Sequence, residues 1–152
     1  MVEVSLTGFV RRGHDTMQAM RKFMIAYIAA FIAMLLLDGV WLGLVALPVY
    51  KQGIGHLMAS APLVPVALVF YIGYPLGLAH FAVLPSFSAA HAARQGALFG
   101  LFAYGTYDLT NWATLRGWSV QLSLVDGVWG MCVSSAGMLT AWWAVQRFGN
   151  HV

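Results

Sequence analysis

Three aspartates stand inside segments that are otherwise apolar: Asp38 in "LLLDGVWLG", Asp108 in "GTYDLTNW" and Asp126 in "SLVDGVWGM". A carboxylate at the centre of a membrane helix costs about 2.5–3.5 kcal/mol on insertion scales, so such a residue is a functional candidate by default. Each acid has a large partner three positions on: Trp41 after Asp38, Asn111 after Asp108 and Trp129 after Asp126. Residues three or four apart share a helix face, so every acid is paired with an indole or an amide. Tyr107, Thr110 and Trp112 thicken the level around Asp108, and Gly39, Gly43, Gly127 and Gly130 flank the other two acids. Small residues let membrane helices approach closely. Two kinds of chemistry suit this set. It can line a polar pocket for a small solute, a proton or a lipid headgroup, or it can bond across helices and fix their register. Three clustered carboxylates cannot all stay ionised without a counter-charge. At least one is then protonated, paired with Arg116 or Lys51, or bound to a cation. Carboxylates with the Asn111 amide would suit calcium or magnesium. No dense oxygen-ligand motif is present, and neither a metal nor a cofactor is expected.

The elements that must position these residues follow from composition. Of 152 residues, 61% are hydrophobic and 9% charged, with a mean hydropathy of +0.76. A soluble domain carries roughly 25% charged residues, so a membrane protein is indicated. The formal charge is +3, but the basic residues are scattered and not interleaved with exposed aromatics, which argues against nucleic acid as a partner. Four segments reach the roughly 20 apolar residues that a spanning helix needs: about 23–47, 62–84, 96–115 and 120–145. The expected fold is all-α, with four transmembrane helices in one antiparallel bundle over residues 23–147. Residues 1–22 read as a polar extension without a clear fold, with Met20 as an alternative start, and 148–152 as a short tail. The first apolar run is too long for a cleaved signal peptide. Pro48 and "PVYKQGIGHLMASAP" are expected to end the first helix and form the long connection. "PSFSAAHAAR" joins the second and third spans, and "RGWSVQ" makes a tight hairpin between the third and fourth.

Charge asymmetry orients the bundle. Arg11, Arg12, Arg21, Lys22, Arg94 and Arg147 fall on one side, and Lys51 and Arg116 on the other. The positive-inside rule then makes both termini cytoplasmic. At 1.5 Å per residue all three aspartates reach one layer toward the outer leaflet. The repeated Asp-Gly-Val-Trp is therefore not an inverted duplication, which would mirror the two depths about the midplane. Trp41, Trp112, Trp118 and Trp129 read as an outer interfacial belt, with Trp142 and Trp143 at the inner face. Tyr71, Tyr74 and Pro75 suggest a kinked second span with phenols turned inward for packing. Cys132 reads as a small packing residue. His80 and His91 read as interfacial polar groups, and nothing holds His56 near the acids. No Ser-His-Asp set converges at one depth, so catalytic triad chemistry is excluded.

The run "GLFAYGTYDLTNWATLRGWSVQLSLVDGVWG" resembles the DUF2177 family of small predicted inner-membrane proteins of bacteria. The resemblance rests on Tyr107-Asp108-Leu109-Thr110-Asn111, then Ala113-Thr114-Leu115, Trp118, and Asp126 with Trp129. The earlier Asp38 to Gly43 run and Tyr50 match the family's first-span pattern. It covers nearly everything from about Lys22 onward and leaves out residues 1–21. The resemblance implies a four-span integral protein of the bacterial inner membrane and supplies no activity, substrate or cofactor.

These readings converge on a multi-pass protein whose Asp38, Asp108, Asn111 and Asp126 line an outward polar pocket. Four spans make a narrow transporter, so a transport role also expects a homodimer. The first rival is a non-catalytic accessory or assembly subunit of a larger membrane complex. The second is a lipid-modifying enzyme with an aspartate as general acid or base, which no nucleophile or metal set accompanies.

Overall fold

A computed structural model of the chain describes residues 3–83 and 88–149. Residues 150–152 of the expected tail and 84–87 at the second connection lie outside the described residues. Among those described there is no strand. Helices α1 (Glu3–Trp41), α2 (Leu47–Ile54), α3 (Val64–Val83), α4 (Ala89–Thr114) and α5 (Val120–Phe148) follow in order. An apolar solvent leaves no other partner for backbone N–H and C=O groups, so long helices are what such a sequence must form. Three helical stretches among the described residues are long and apolar enough to cross a membrane: Asp15–Leu57, Val64–Phe81 and Val120–Phe148. The outer surface agrees, with Leu36, Leu44, Val66, Val69, Phe102, Leu109 and Leu124 each more than half exposed.

Two boundaries differ from expectation. The backbone is helical from Glu3, so the polar extension continues into the first span as one helix. Pro48 does not end that helix. A π-helical turn, Leu42–Ala46, follows α1, and α2 continues with Pro48 in its first turn. Proline lacks the N–H that an α-helix interior requires, but it is tolerated in a first turn. The wider turn just before Pro48 supplies that break in register without ending the helix. The helix stops only at Ile54, beyond which a single 3₁₀ turn, Gly55–Leu57, leads into the connection.

Capping is local and ordinary. Ser88 Oγ accepts from His91 N (3.2 Å) at the start of α4, and Ser119 Oγ accepts from Leu122 N (3.2 Å) at the start of α5. "AAHAAR" is thus the first turns of α4 and not part of the connection. The hairpin before α5 turns at Gly117, whose φ of +76° suits a residue without a Cβ. His56 lies over this turn, away from the acids. At the other end Arg21 Nη2 donates to Phe148 O (3.1 Å), a cation on the carbonyl end of α5.

Helix α5 is the hub. It touches α1, α2, α3 and α4, whereas the backbones of α1 and α4 stay more than 8 Å apart among the described residues. The α4–α5 seam is made of small residues. A Cβ on Gly96 would lie 2.5 Å from Ser134 O, one on Gly100 would strike Gly130 O, and one on Gly130 would strike the Tyr104 ring. Two glycines four apart on α4 thus let the helices meet backbone to backbone. By contrast, Gly39, Gly43 and Gly127 have nothing within 4 Å. The expectation that those three bring helices together is corrected: they face outward, and only Gly130 of the four packs a helix. Below the acid layer the core is Ala26, Ala30, Met34, Leu78, Val133 and Met138, with their neighbours. Cys132 is exposed and does not pack in this core.

Candidate functional site

The acids are held by aromatic donors from other helices. On α1, Asp38 Oδ1 accepts from Trp129 Nε1 of α5 at 2.9 Å, and the phenol of Tyr71 on α3 lies beside the same carboxyl. Trp41, one turn along from Asp38, stacks on Trp129 with centroids 4.4 Å apart and planes within 5°. The two indoles of the repeated Asp-Gly-Val-Trp therefore meet face to face. They form one unit and not two members of an interfacial belt. Trp129→Phe is expected to keep most of the stack and lose the bond to Asp38, lowering stability by about 1 kcal/mol. Thermal unfolding in detergent would measure it, and an unchanged Tm would show that the bond contributes nothing.

Asp126 on α5 accepts from the Tyr50 hydroxyl of α2 at 2.6 Å. Its second oxygen takes no hydrogen bond from any described residue. Tyr50 reaches it because of the π turn. On an unbroken α-helix a residue twelve positions after Asp38 would point about 120° away from it. One wide turn in between brings it back to within roughly 20–30°. Leu44, 76% exposed, can be deleted from that turn without removing a packed side chain. Deletion is expected to restore α geometry and turn Tyr50 off Asp126. The check is a double-mutant cycle between Tyr50→Phe and Asp126→Asn: coupling present in the parent and absent in the deletion.

Asp108 on α4 is 2% exposed, and both its oxygens lack a hydrogen-bond partner. The nearby Ser123 hydroxyl accepts from Trp118 Nε1 (2.9 Å) and lies between Ser119 O (3.4 Å) and the Asp108 carboxyl. Trp118 is itself 8% exposed, so it is a buried prop and not part of a belt. Asp126 lies near enough to act electrostatically on both Asp38 and Asp108. The structure thus brings the three acids together, with Asp126 in the middle.

A partly open cavity of about 440 Å³ adjoins this layer. Residues of α1, α2, α3, α4 and α5 line it. Asp38 and Asp126 are in its wall, with Trp41, Trp129, Tyr50 and Tyr107. Phe70, Tyr71 and Tyr74 enter from α3, and Ala103 and Tyr104 from α4. Tyr74 is fixed by a 2.7 Å bond to Ser134 Oγ, and Tyr104 lies against Gly130. Asp108 and Asn111 line no part of the cavity; Asp108 is behind the wall and Asn111 further along α4. Thr106, Thr110 and Thr114 bond back to carbonyls four residues earlier and are exposed, so Thr110 serves its own helix. Trp112 is half exposed, outside the layer. Lys51 and Arg116 are exposed and absent from the wall, which removes them as counter-charges for the acids. Among the described residues no three of His, Cys, Asp and Glu are placed to share a metal ion.

Sequence reasoning missed Tyr104 and Phe70, and met Tyr50 only through family resemblance. Tyr104 was legible as the residue one turn after Gly100, on the face that the glycines press against α5.

An all-helical chain with a lipid-facing apolar surface and a sunken acid layer defines a polytopic membrane protein. The profile of the DUF2177 family, described as predicted membrane protein, matches residues 23–143, and the chain belongs to that family. No curated protein matches the chain, and no solved structure does.

Proposed function

We propose that this is a four-span protein of the bacterial inner membrane, with both termini cytoplasmic, whose cavity takes up a small solute or lipid headgroup from the outer side. One observation carries the reading: Asp38 and Asp126, nearly buried, share the wall of one aromatic cavity that the membrane helices leave open. Concave sites with few convergent polar groups are where ligands bind. Helix α4, with 26 residues and an exposed apolar face of Leu98, Leu101, Phe102 and Leu109, completes the fourth crossing. Two copies of the chain would supply the second wall that transport needs.

Thiol labelling tests this. In a Cys132→Ser background, Ala103→Cys is expected to react with a membrane-impermeant maleimide added from outside, and Phe102→Cys, next to it on the lipid side, is not. Protection of Ala103→Cys from outside, or labelling only from the cytoplasm, overturns the outward cavity.

A second reading has its own support. The Trp129–Asp38 and Tyr50–Asp126 bonds each join separate helices, as register-setting bonds in an accessory subunit would. That role predicts fixed partner chains on gentle extraction and no bound small molecule.

A further inference from the structure

The cavity's chemistry selects a class of ligand. Its wall holds two carboxylates and no Lys, Arg or His. One oxygen of Asp126 is left without a donor, and Asp38 shares its bonds with a ring that also faces the space. Behind the wall stands a third carboxyl, Asp108, with only the Ser123 hydroxyl beside it. An anion would meet two carboxyl groups and no basic residue in the wall, while the unpartnered Trp41 Nε1 and the phenols can serve the neutral part of a ligand. A hard metal ion needs six or more oxygen ligands, and the described residues offer no three-residue set. The remaining surface is aromatic: the Trp41–Trp129 stack, Tyr71, Tyr104 and Tyr107 surround the acids. Aromatic faces attract an organic cation within about 6 Å, most strongly where water is excluded. A volume of about 440 Å³ admits a small substituted ammonium and leaves room for its neutral part.

We propose that the cavity binds a small organic monocation, an amine or quaternary ammonium, with its charge between Asp38 and Asp126 and its alkyl groups against the indoles and phenols. The assignment rests on the pocket reading above. The same ammonium chemistry comes from a free solute or from a lipid headgroup.

The test uses the full chain in nanodiscs, with choline and its uncharged isostere 3,3-dimethyl-1-butanol as probes. In phosphatidylglycerol discs choline is expected to bind at least tenfold more tightly than the isostere. Asp126→Asn and Asp38→Asn should each weaken choline at least tenfold, and Tyr107→Leu, which alters a ring at the half-exposed rim, several-fold. The Tyr107→Leu arm holds if either acid variant fails to fold. In phosphatidylcholine discs a headgroup ligand would suppress the response to free choline, whereas a free-solute site would respond equally in both lipids. Equal binding of choline and the isostere, or choline binding that these substitutions leave unchanged, overturns the proposal. So does no binding in phosphatidylglycerol discs. If that happens while Ala103→Cys still labels from outside, the cavity stands and only its ligand class is wrong.

Discussion

Gly100→Val is expected to separate α4 from α5 and leave no folded protein in detergent. The added Cβ would strike the carbonyl of Gly130, a backbone atom that cannot rotate aside, and it would crowd Ser134 Oγ as well. Overpacking a well-fitted core costs about 1–3 kcal/mol where side chains can yield. Here they cannot, and the loss exceeds that range. Because Tyr104 reaches the cavity across Gly130, the same change dismantles the site. Gly39→Ala and Gly127→Ala are the controls, since nothing lies within 4 Å of either added methyl. Size-exclusion profiles and thermal unfolding would show aggregate for Gly100→Val and near-parental behaviour for the controls. A stable Gly100→Val protein would mean that the α4–α5 seam is not as close as described.

Asp108→Leu is expected to raise stability while impairing function. The carboxyl is 2% exposed and has no hydrogen-bond donor, so the fold bears its desolvation without return. Burying an unpartnered polar group costs about 1–3 kcal/mol by mutational measures, and an apolar residue of similar size removes that cost. A Tm several degrees higher, with weaker ligand retention, would mark Asp108 as a group kept for use and not for packing. A lower Tm would show that the carboxyl is bonded and structural. Asp38→Leu should behave oppositely and destabilise, because it strands the Trp129 N–H.

The difference between these aspartates marks what the sequence could disclose. Hydropathy located the helices, and a rise of 1.5 Å per residue was enough to put Asp38, Asp108 and Asp126 at one level. Depth is a one-dimensional quantity that residue counting reaches. Facing is not. Gly39, Gly43 and Gly127 sit at the right level and point away, whereas Gly96 and Gly100 form the seam. Asn111 shares a helix face with Asp108 yet lies outside the cavity wall. The spacing of three identifies a face of its own helix but not the helix that face meets. Pro48 misled for a related reason: a proline rule describes an α-helix, and one π turn allows the chain to continue. That turn also hid Tyr50, whose contact with Asp126 depends on a phase shift invisible in α-helical counting. Depth alone cannot tell a lipid-facing tryptophan from a stacked pair, so the Trp41–Trp129 stack is hidden in the sequence.

The most direct measurement is native mass spectrometry of the full chain, extracted gently from its own membrane, beside Ala103→Trp. Ala103 lies in the cavity wall, away from the acid bonds, and an indole there would fill much of the space. If the cavity is a binding site, the parent chain carries a small molecule or lipid and Ala103→Trp is folded without it. A parent chain that arrives with fixed protein partners and no small ligand, and an Ala103→Trp chain indistinguishable from it, would rule out the binding cavity and make the acids bonds of assembly.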